Sequence, residues 1–372
     1  MDFGGEQDPV EILKAAVAVH REGRPEQAVE LYRRALPGLE DPVYRRQCLL
    51  WLGSALSDTG DLAAAATSCR AALDLDPQHL AGLITLAGIL LDLGRLGEAA
   101  AAAESALALA PGDIVTLDMA THIALARGVP AEARRFAEAS LARRPANQRA
   151  LSLLALALIQ LGCDAEVARL LDFDRLLRVG RLEPPPGFGP PSSFDAALAD
   201  AVAARTELDR RHLGKTMVGG ARLHDSFVIG DPLAGALRQA FLAAARGYAE
   251  TLAVAPDHPM ARTRPAALDL ISWANIVVAK EFELPHIHDG SWLSGVYYPE
   301  MPPADPQDPD SGAIELGGHD LGDALKLSGP TRRVRPEAGT LVLFPAYFYH
   351  RTLPFAGAGR RISIAFDIRV ET

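Results

Sequence analysis

Three histidines in the C-terminal half of this 372-residue chain stand where they could bind a metal. His286 and His288 are two residues apart, so their imidazoles point to the same face of an extended strand. His350 follows the strand-like run 340–345 and could supply a third imidazole from a distant strand. Three protein ligands on one side of an ion leave its other positions open, which oxygen chemistry requires. This spacing predicts a metal site of that kind.

Arg361 and Ser363 share one face of another predicted strand, because they too are two residues apart. A guanidinium holds a planar carboxylate through two parallel hydrogen bonds, and a hydroxyl adds a further one. Arg360 is the alternative cation, but it does not share the face of Ser363. The pair predicts a dicarboxylate ligand beside the metal.

Several sequence blocks carry a family resemblance. They are Trp273-Ala-Asn275, His286-Ile-His288-Asp-Gly-Ser291-Trp-Leu-Ser294-Gly-Val-Tyr-Tyr298, Leu343-Phe-Pro345 with His350, and Arg361-Ile-Ser-Ile-Ala-Phe366. Through these blocks residues 171–372 resemble the Fe(II)- and 2-oxoglutarate-dependent oxygenases of the His-x-His, Ser-Gly-Val-Tyr-Tyr type. The resemblance implies a double-stranded β-helix (jelly-roll) core. It also implies that oxygen oxidatively decarboxylates 2-oxoglutarate while a second substrate is hydroxylated.

The resemblance implies a role for each candidate residue around the cosubstrate. Arg361 and Ser363 would hold the far carboxylate of 2-oxoglutarate, and Tyr298 would donate its hydroxyl to the same molecule. Asn275 would either support the cosubstrate or pair with backbone. No catalytic residue is expected beyond the metal centre, because hydrogen abstraction needs no protein acid or base.

The metal ligands depart from the better-known relatives, which use two histidines and one carboxylate. His288 stands where a His-x-Asp motif has its carboxylate, so the chain would bind Fe(II) through His286, His288 and His350. A site of three neutral histidines leaves the ion one more unit of positive charge. Asp289, Glu315 or water remain alternatives for the third ligand. His319 and Asp320 form a weaker rival pair in a glycine-rich stretch.

Glycines recur every 34 residues in the N-terminal half, at Gly60, Gly94, Gly128 and Gly162. This is the period of the tetratricopeptide helix-turn-helix repeat. Three of the glycines are followed at fixed distances by alanines and prolines, at Ala65, Ala99, Ala133, Pro77, Pro111 and Pro145. Small residues suit closely packed helices, and a proline stops the second helix. The pattern predicts an all-α tetratricopeptide solenoid over residues 1–170.

Residues 171–372 show short β-branched and aromatic runs, which predict strands and an α+β multidomain chain overall. The expected strands are 267–280, 284–288, 292–299, 340–345 and 360–370, with helices from about residue 193 and over residues 233–252. The stretch 299–312 is rich in proline and aspartate and could be a lid over the site or an ordinary surface loop.

Composition excludes some function classes. The net charge of −10 and the pI near 5.5 argue against binding to nucleic acid, which needs clustered positive charge. The three cysteines form no Cys-x-x-Cys pair, and neither a secretory signal nor a membrane span is recognisable. We therefore expect a cytoplasmic protein, and the scarcity of lysine beside abundant arginine indicates a bacterial genome.

The sequence favours an oxygenase whose substrate is a protein or peptide side chain docked partly on residues 10–170, because a solenoid offers a long concave surface. One rival is a protein-binding scaffold with an inactive jelly roll. Another is a cupin-like dioxygenase with three histidines that does not use 2-oxoglutarate. The repeats could also merely stack against the second domain and cap it.

Overall fold

The computed structural model describes residues 8–205, 208–209, 216–230, 232–252, 258–264, 266–317 and 329–369. The chain divides into two compact units, Met1–Arg143 and Arg144–Thr372. None of the helices in these described ranges is long and apolar enough to cross a membrane.

The first unit is a series of helix pairs joined by short turns. Its helices are α1 (Pro9–Arg21), α2 (Pro25–Ala35), α3 (Pro42–Asp58), α4 (Leu62–Leu75), α5 (Leu80–Asp92), α6 (Leu96–Leu109), α7 (Ile114–Ala126) and α8 (Pro130–Arg143). The glycine that ends the first helix of each pair has a positive φ, for example +84° at Gly60 and +70° at Gly94. A left-handed residue reverses the chain there, and glycine adopts that conformation without strain.

Small side chains let the paired helices approach closely. Ala65, Ala99 and Ala133 are fully buried, as is Ala28 in the earlier copy of the pattern. The N-terminal helical solenoid predicted from the 34-residue period is therefore observed.

The second unit begins with one more helix pair and continues with four helices around a β structure. The pair is α9 (Gln148–Leu161) and α10 (Asp164–Leu170), followed by α11 (Phe173–Leu176), α12 (Pro191–Ala203), α13 (Leu233–Thr251) and α14 (Pro259–Arg262). Gly162 again forms the turn, with φ +68°. The last helix of the pair has only 7 residues, so the repeat pattern stops here.

The strands of this unit are short at its edges and long at its centre. They are β1 (Arg178–Arg181), β2 (Met217–Val218), β3 (Ala221–Leu223), β4 (Asp269–Val278), β5 (Phe282–Glu283), β6 (Ser291–Glu300), β7 (Ile314–Gly317), β8 (Thr331–Val334), β9 (Thr340–Pro345), β10 (His350–Thr352) and β11 (Arg360–Arg369). A six-stranded sheet has the order β1-β9-β6-β11-β4-β3, a three-stranded sheet has the order β10-β7-β8, and β2 pairs with β5. All of these pairs are antiparallel.

Four of the five strands expected from the sequence correspond to β4, β6, β9 and β11, but the fifth, 284–288, is wrong as a regular strand. Pro285 has no N–H to donate to a ladder, and the chain turns at Asp289. Only an isolated bridge between His286 and His350 forms there, with N–H to O distances of 3.0 Å in both directions. The segment is also held at His288, whose N–H donates to the Ala346 carbonyl at 3.1 Å.

The two faces of the six-stranded sheet have different neighbours. On one face Phe241 of α13 stacks on Phe366 with ring centroids 4.1 Å apart, and the Tyr297 hydroxyl donates to Asp195 of α12. Successive residues of a strand alternate faces. Tyr298 therefore points to the opposite face, where the candidate site lies.

Candidate metal centre

The structure brings His286, His288 and His350 together. Their ring centroids are 5.2 Å (His286 to His288), 4.2 Å (His286 to His350) and 4.9 Å (His288 to His350) apart. One nitrogen from each ring lies within 4.8 Å of the others. In the part of the chain that the structure describes, this is the group of histidine, cysteine and acidic side chains that could hold a metal ion.

Hydrogen bonds orient all three rings in the same way. His286 Nδ1 lies 2.8 Å from the Leu284 carbonyl, and His350 Nδ1 lies 3.1 Å from the Phe348 carbonyl. Because a carbonyl oxygen only accepts, each Nδ1 must carry the proton. His288 Nδ1 likewise donates to the Asp367 carboxylate at 2.8 Å. The lone pair of each neutral imidazole is then on Nε2, which is the form that binds a metal.

Asp367 accepts hydrogen bonds from the candidate ligand His288 and from two serines. Its Oδ1 accepts from His288 Nδ1 and from the Ser294 hydroxyl, both at 2.8 Å, and its Oδ2 accepts from the Ser291 hydroxyl at 2.9 Å. Burial would lower the pKa of His288, but the adjacent carboxylate outweighs burial and raises it. Burial lowers the pKa of His286, whose ring donates to a backbone carbonyl and not to a carboxylate. The carboxylate–histidine pair is the arrangement that orients ligands in metal sites.

The alternative carboxylate ligands have other partners. Asp289 accepts from two nitrogens of Arg149 on α9, Nε at 3.0 Å and Nη2. Glu315 accepts from Arg333 Nε at 2.5 Å and from Arg351 Nε at 2.8 Å. Neither carboxylate joins the three histidines in the cluster described above. The rival pair at positions 319 and 320 lies outside the described residues.

Two cavities adjoin the histidines. The outer one, of about 420 Å³, is lined by His286 and His288 together with Arg222, Trp273 and Asp289. The inner one, of about 30 Å³, is lined by all three histidines and reaches the strands β4, β6 and β11. The Trp273 ring lines both cavities and lies 5.3 Å from the His288 ring. The histidines therefore stand between an open cleft and a small interior space.

Arg361 is almost completely buried, with 1% of its surface exposed. Its Nη2 donates to the Thr352 hydroxyl at 2.9 Å and its Nη1 to the Gly312 carbonyl at 3.4 Å, while Nε has no hydrogen-bond partner. Burial lowers the pKa of this guanidinium. No carboxylate among the described residues forms an ion pair with it. Arg360, by contrast, pairs with Glu300 and is 37% exposed.

The other predicted cosubstrate residues line the inner cavity, whereas Arg361 reaches it only through Thr352. Tyr298, Ser363 and Asn275 all line it, and burial raises the pKa of Tyr298. Among the described residues, the Asn275 side chain pairs with side chains and not with backbone: its Oδ1 accepts from Arg222 Nε at 2.8 Å, and its Nδ2 donates to Glu283 Oε1 at 3.2 Å.

Sequence reasoning missed several polar residues here. Asp367 carried a usable signal, because it follows Arg361 by six residues and so shares the same face of β11. Arg222, Glu283 and Thr352 carried none, since each lies in a strand of only two or three residues. The proposed lid, 299–312, contributes to neither cavity, although the Gly312 carbonyl contacts Arg361.

Comparison with known families gives two matches within the chain. Residues 271–367 match the family model described as "Putative 2OG-Fe(II) oxygenase", and residues 9–112 match the model described as "Tetratrico peptide repeat". The resemblance inferred from the sequence, an oxygenase-type domain fused to tetratricopeptide repeats, is confirmed by these matches. A search of the curated proteins finds no match.

Solved structures of repeat proteins are similar to part of the chain. MamA 41-end from Desulfovibrio magneticus RS-1 is 18% identical, with 46% of this chain and 98% of that chain covered and a TM-score of 0.41. A tetratricopeptide repeat protein from Parabacteroides merdae ATCC 43184 is 18% identical, covering 45% and 65%, with a TM-score of 0.42. A thermophilic TPR protein of Thermus thermophilus is 19% identical, covering 45% and 93%, with a TM-score of 0.35.

Proposed function

We propose that this chain, a fusion of tetratricopeptide repeats with an oxygenase-type domain, is a hydroxylase that depends on Fe(II) and 2-oxoglutarate. Residues 171–372 would form its jelly-roll domain, with the six-stranded and three-stranded antiparallel sheets as the two walls. The observation that carries the proposal is a buried Arg361 that has no carboxylate partner among the described residues and donates to Thr352, which lines the same inner cavity as the three clustered histidines.

The histidine cluster fits a divalent transition metal. Neutral imidazoles are common ligands of iron, copper, nickel and zinc, and three of them leave coordination positions open. The protein atoms that accept from each Nδ1 hold the rings in place, so binding requires no rearrangement of hydrogen bonds at these residues. When bound, Fe(II) and 2-oxoglutarate would together supply the oxidising chemistry towards molecular oxygen.

Arg361 fits the far carboxylate of a dicarboxylate. A buried guanidinium without an anion is unfavourable, and a ligand carboxylate would compensate its charge. Ser363 and Tyr298 add hydroxyl groups that line the inner cavity, and so does Thr352, whose hydroxyl accepts from Arg361. The inner cavity of about 30 Å³ holds about one water molecule, so a dicarboxylate enters only if lining side chains move.

The outer cleft of about 420 Å³ suits the second substrate, because two of the ligand histidines form part of its wall. Trp273 there offers an apolar surface, and Asp289 lies at its edge. The Arg149 side chain that holds Asp289 comes from α9, the first helix of the last repeat. This contact supports a substrate that also touches α9, such as a protein or peptide side chain.

A second candidate function is favoured by the small size of the inner cavity. A dioxygenase with three histidines that does not use 2-oxoglutarate would bind oxygen and its substrate without needing room for a dicarboxylate. The buried, unpaired Arg361 has no purpose in that chemistry. For this reason the 2-oxoglutarate-dependent reaction is our conclusion.

The test compares Arg361→Ala with the matched control Arg360→Ala in protein loaded anaerobically with Fe(II). Loss of a charge-assisted pair in a buried site costs about 2 to 4 kcal/mol, so Arg361→Ala should weaken 2-oxoglutarate binding roughly 30-fold to 1000-fold. The visible charge-transfer band of the chelate measures this affinity.

Arg360→Ala should leave the affinity for 2-oxoglutarate unchanged, because its partner is the partly exposed Glu300. Arg361→Ala should still bind the metal, whereas His288→Ala should lose it. Equal 2-oxoglutarate affinity in both arginine variants would contradict the proposal, and undiminished iron binding by His288→Ala would contradict the three-histidine site.

A further inference from the structure

Glu283 is a carboxylate that lines the inner cavity and has no role in the proposed function. It ends the two-residue strand β5, its side chain is 14% exposed, and it lines the inner cavity together with all three histidines. Its backbone N–H donates to the Thr352 hydroxyl at 2.8 Å, the same oxygen that accepts from Arg361. Glu283 is therefore tied to the cavity by its backbone as well as by its side chain.

The two carboxylate oxygens of Glu283 differ in their contacts. Oε1 accepts from Asn275 Nδ2 at 3.2 Å and lies 3.4 Å from Arg222 Nη2. Oε2 receives no hydrogen bond from any described residue. Arg222 itself lines the outer cleft and not the inner cavity. The Arg222–Glu283 pair thus joins a residue of the outer cleft to a residue of the inner cavity.

The charge of Glu283 acts on the groups around it. Burial lowers the pKa values of Arg361 and His286, and the negative charge of Glu283 opposes both changes. Burial raises the pKa of Tyr298, and Glu283 adds to that rise. This carboxylate is therefore felt by a predicted metal ligand and by two of the predicted cosubstrate residues.

The charges around the cavity show why this position matters. The three histidines are neutral ligands, and Asp367 is already engaged by three donors. Arg361 and Arg222 contribute two positive charges. Glu283 is the remaining negative charge that lines the inner cavity, where a divalent cation and a dicarboxylate would have to be accommodated together.

We propose that Glu283 supplies the fixed negative charge of the inner cavity. Its charge strengthens binding of a divalent cation at the histidines and weakens binding of a dicarboxylate at Arg361. The inference rests on the proposed function. It assigns Glu283 part of the electrostatic role that a carboxylate ligand has in the two-histidine sites, without direct coordination. The residue would act through the field of its charge, and its effects on the two ligands should have opposite signs.

Glu283→Gln tests this inference because glutamine keeps the shape and removes the charge. Mn(II) serves as a metal probe that does not turn over, with affinity measured from the spin-resonance signal of the free ion. Binding of 2-oxoglutarate is then measured by calorimetry on the Mn(II)-loaded protein. A neighbouring unit charge shifts such equilibria by about tenfold or more, so Mn(II) should bind about tenfold more weakly and 2-oxoglutarate about tenfold more tightly.

Arg222→Gln is the reciprocal variant. It removes a positive charge from the same pair and keeps a donor for Asn275, so the two shifts should reverse: Mn(II) binds more tightly and 2-oxoglutarate more weakly. Glu300→Gln is the matched control, since Glu300 pairs with Arg360 and lines neither cavity. It should change both affinities less than twofold, in keeping with a screened, partly exposed pair.

Opposite shifts in Glu283→Gln and their reversal in Arg222→Gln support the inference. Unchanged affinities, or equal weakening of both ligands in Glu283→Gln with no recovery in the charged variant Glu283→Asp, would overturn it. Failure of the proposed function looks different: the parent protein would bind Mn(II) independently of His288, or would bind no 2-oxoglutarate when loaded with Mn(II).

Discussion

Asp367 shows how much of the candidate site depends on one side chain. Its two oxygens accept from a ligand histidine and from two serines, and the residue is 4% exposed. An amide in its place would turn an NH₂ group towards donors that need an acceptor. The ring of His288 would then lose both its orientation and the charge that raises its pKa.

Asp367→Asn should therefore weaken metal binding about 10-fold to 100-fold, the usual effect of changing the residue behind a histidine ligand. Affinity for Mn(II) is the measurement. Asp269→Asn is the control, because Asp269 lies opposite Arg369 at the first residue of β4, its side chain is 60% exposed, and it lines neither cavity. Equal affinities in the two variants would show that Asp367 has no role in holding the ligand.

Residue spacing predicts the clustered histidines and the buried arginine, because strand parity decides which side chains share a face. It distinguishes Arg361 from Arg360, and the structure buries the first and leaves the second partly exposed. It does not predict the contact between Arg222 and Glu283. Their strands β3 and β5 are too short to show a period, and the pair forms only when separate parts of the chain meet.

Hydrogen bonds join several elements of the second unit at the loop between β9 and β10, which precedes His350. The Tyr347 hydroxyl donates to the Leu170 carbonyl of α10 at 2.5 Å. His258, which begins α14, lies 3.4 Å from the same carbonyl through Nε2 and accepts from the Met260 N–H through Nδ1 at 3.2 Å. A neutral imidazole satisfies both contacts at once.

Protonation of His258 should disrupt its hydrogen bond from Met260 and so lower the stability of the fold. Burial lowers the pKa of His258 from its usual value of 6.5, so the unfolded chain takes up the proton at a higher pH than the folded one. Stability that is present above about pH 6.5 is therefore lost as the pH falls through the folded pKa. His258→Asn keeps an acceptor at the helix start and cannot titrate, so its stability should fall less between about pH 7 and about pH 5.

Urea unfolding midpoints at the two pH values measure this difference. The control is His79→Asn, the same replacement at the start of α5, where His79 Nδ1 accepts from the Gly82 N–H at 3.0 Å. The parent and His258→Asn should differ in their pH dependence, and the parent and His79→Asn should differ less. Identical pH dependence of the parent and His258→Asn would show that this histidine does not set the acid sensitivity.

Long elements could be predicted from the sequence and short ones could not. The 10-residue strands β4, β6 and β11 show clear β patterns, whereas β7, β8 and β10 have only three or four residues. Strands of that length are defined by their partners. The 34-residue period predicts the helix pairs directly, because the same packing of two helices recurs in each repeat.

The whole molecule combines a helical unit with a unit that carries the candidate site. In the first unit a groove of about 430 Å³ is lined by α1 and α3, with Leu13, Lys14 and Trp51 among its residues. Tyr44 and Val43 on its edge are 46% and 55% exposed. Exposed aromatic and aliphatic side chains beside a groove suit an extended peptide.

If the substrate is a protein recruited by the repeats, Tyr44→Ala in the full-length chain should weaken its hydroxylation through KM and leave kcat nearly unchanged. The expected loss is roughly fivefold to thirtyfold in kcat/KM, as for an aromatic contact worth about 1 to 2 kcal/mol. Decarboxylation of 2-oxoglutarate without substrate should not change. Mass spectrometry of hydroxylated proteins and succinate release measure the two activities.

A truncation for the same purpose should remove residues 1–143 and keep α9 and α10. Those two helices supply Arg149 to Asp289 and the Leu170 carbonyl to Tyr347, so a longer deletion would damage the second unit itself. Loss of protein hydroxylation with retained succinate release would agree with recruitment. An unchanged kcat/KM in the truncated protein would exclude it and leave the repeats with another role.

The hydrogen bonds at the three histidine rings have a consequence for how the site handles its ion. The acceptors of the Nδ1 protons are two backbone carbonyls and one aspartate, all provided by the chain. Because these acceptors belong to the chain, we expect the ligand geometry not to depend on the ion, unlike in a zinc finger, where the ion drives folding. Binding and release of the ion would then be reversible exchange at a preformed site, and the occupancy of the site would follow the concentration of free metal.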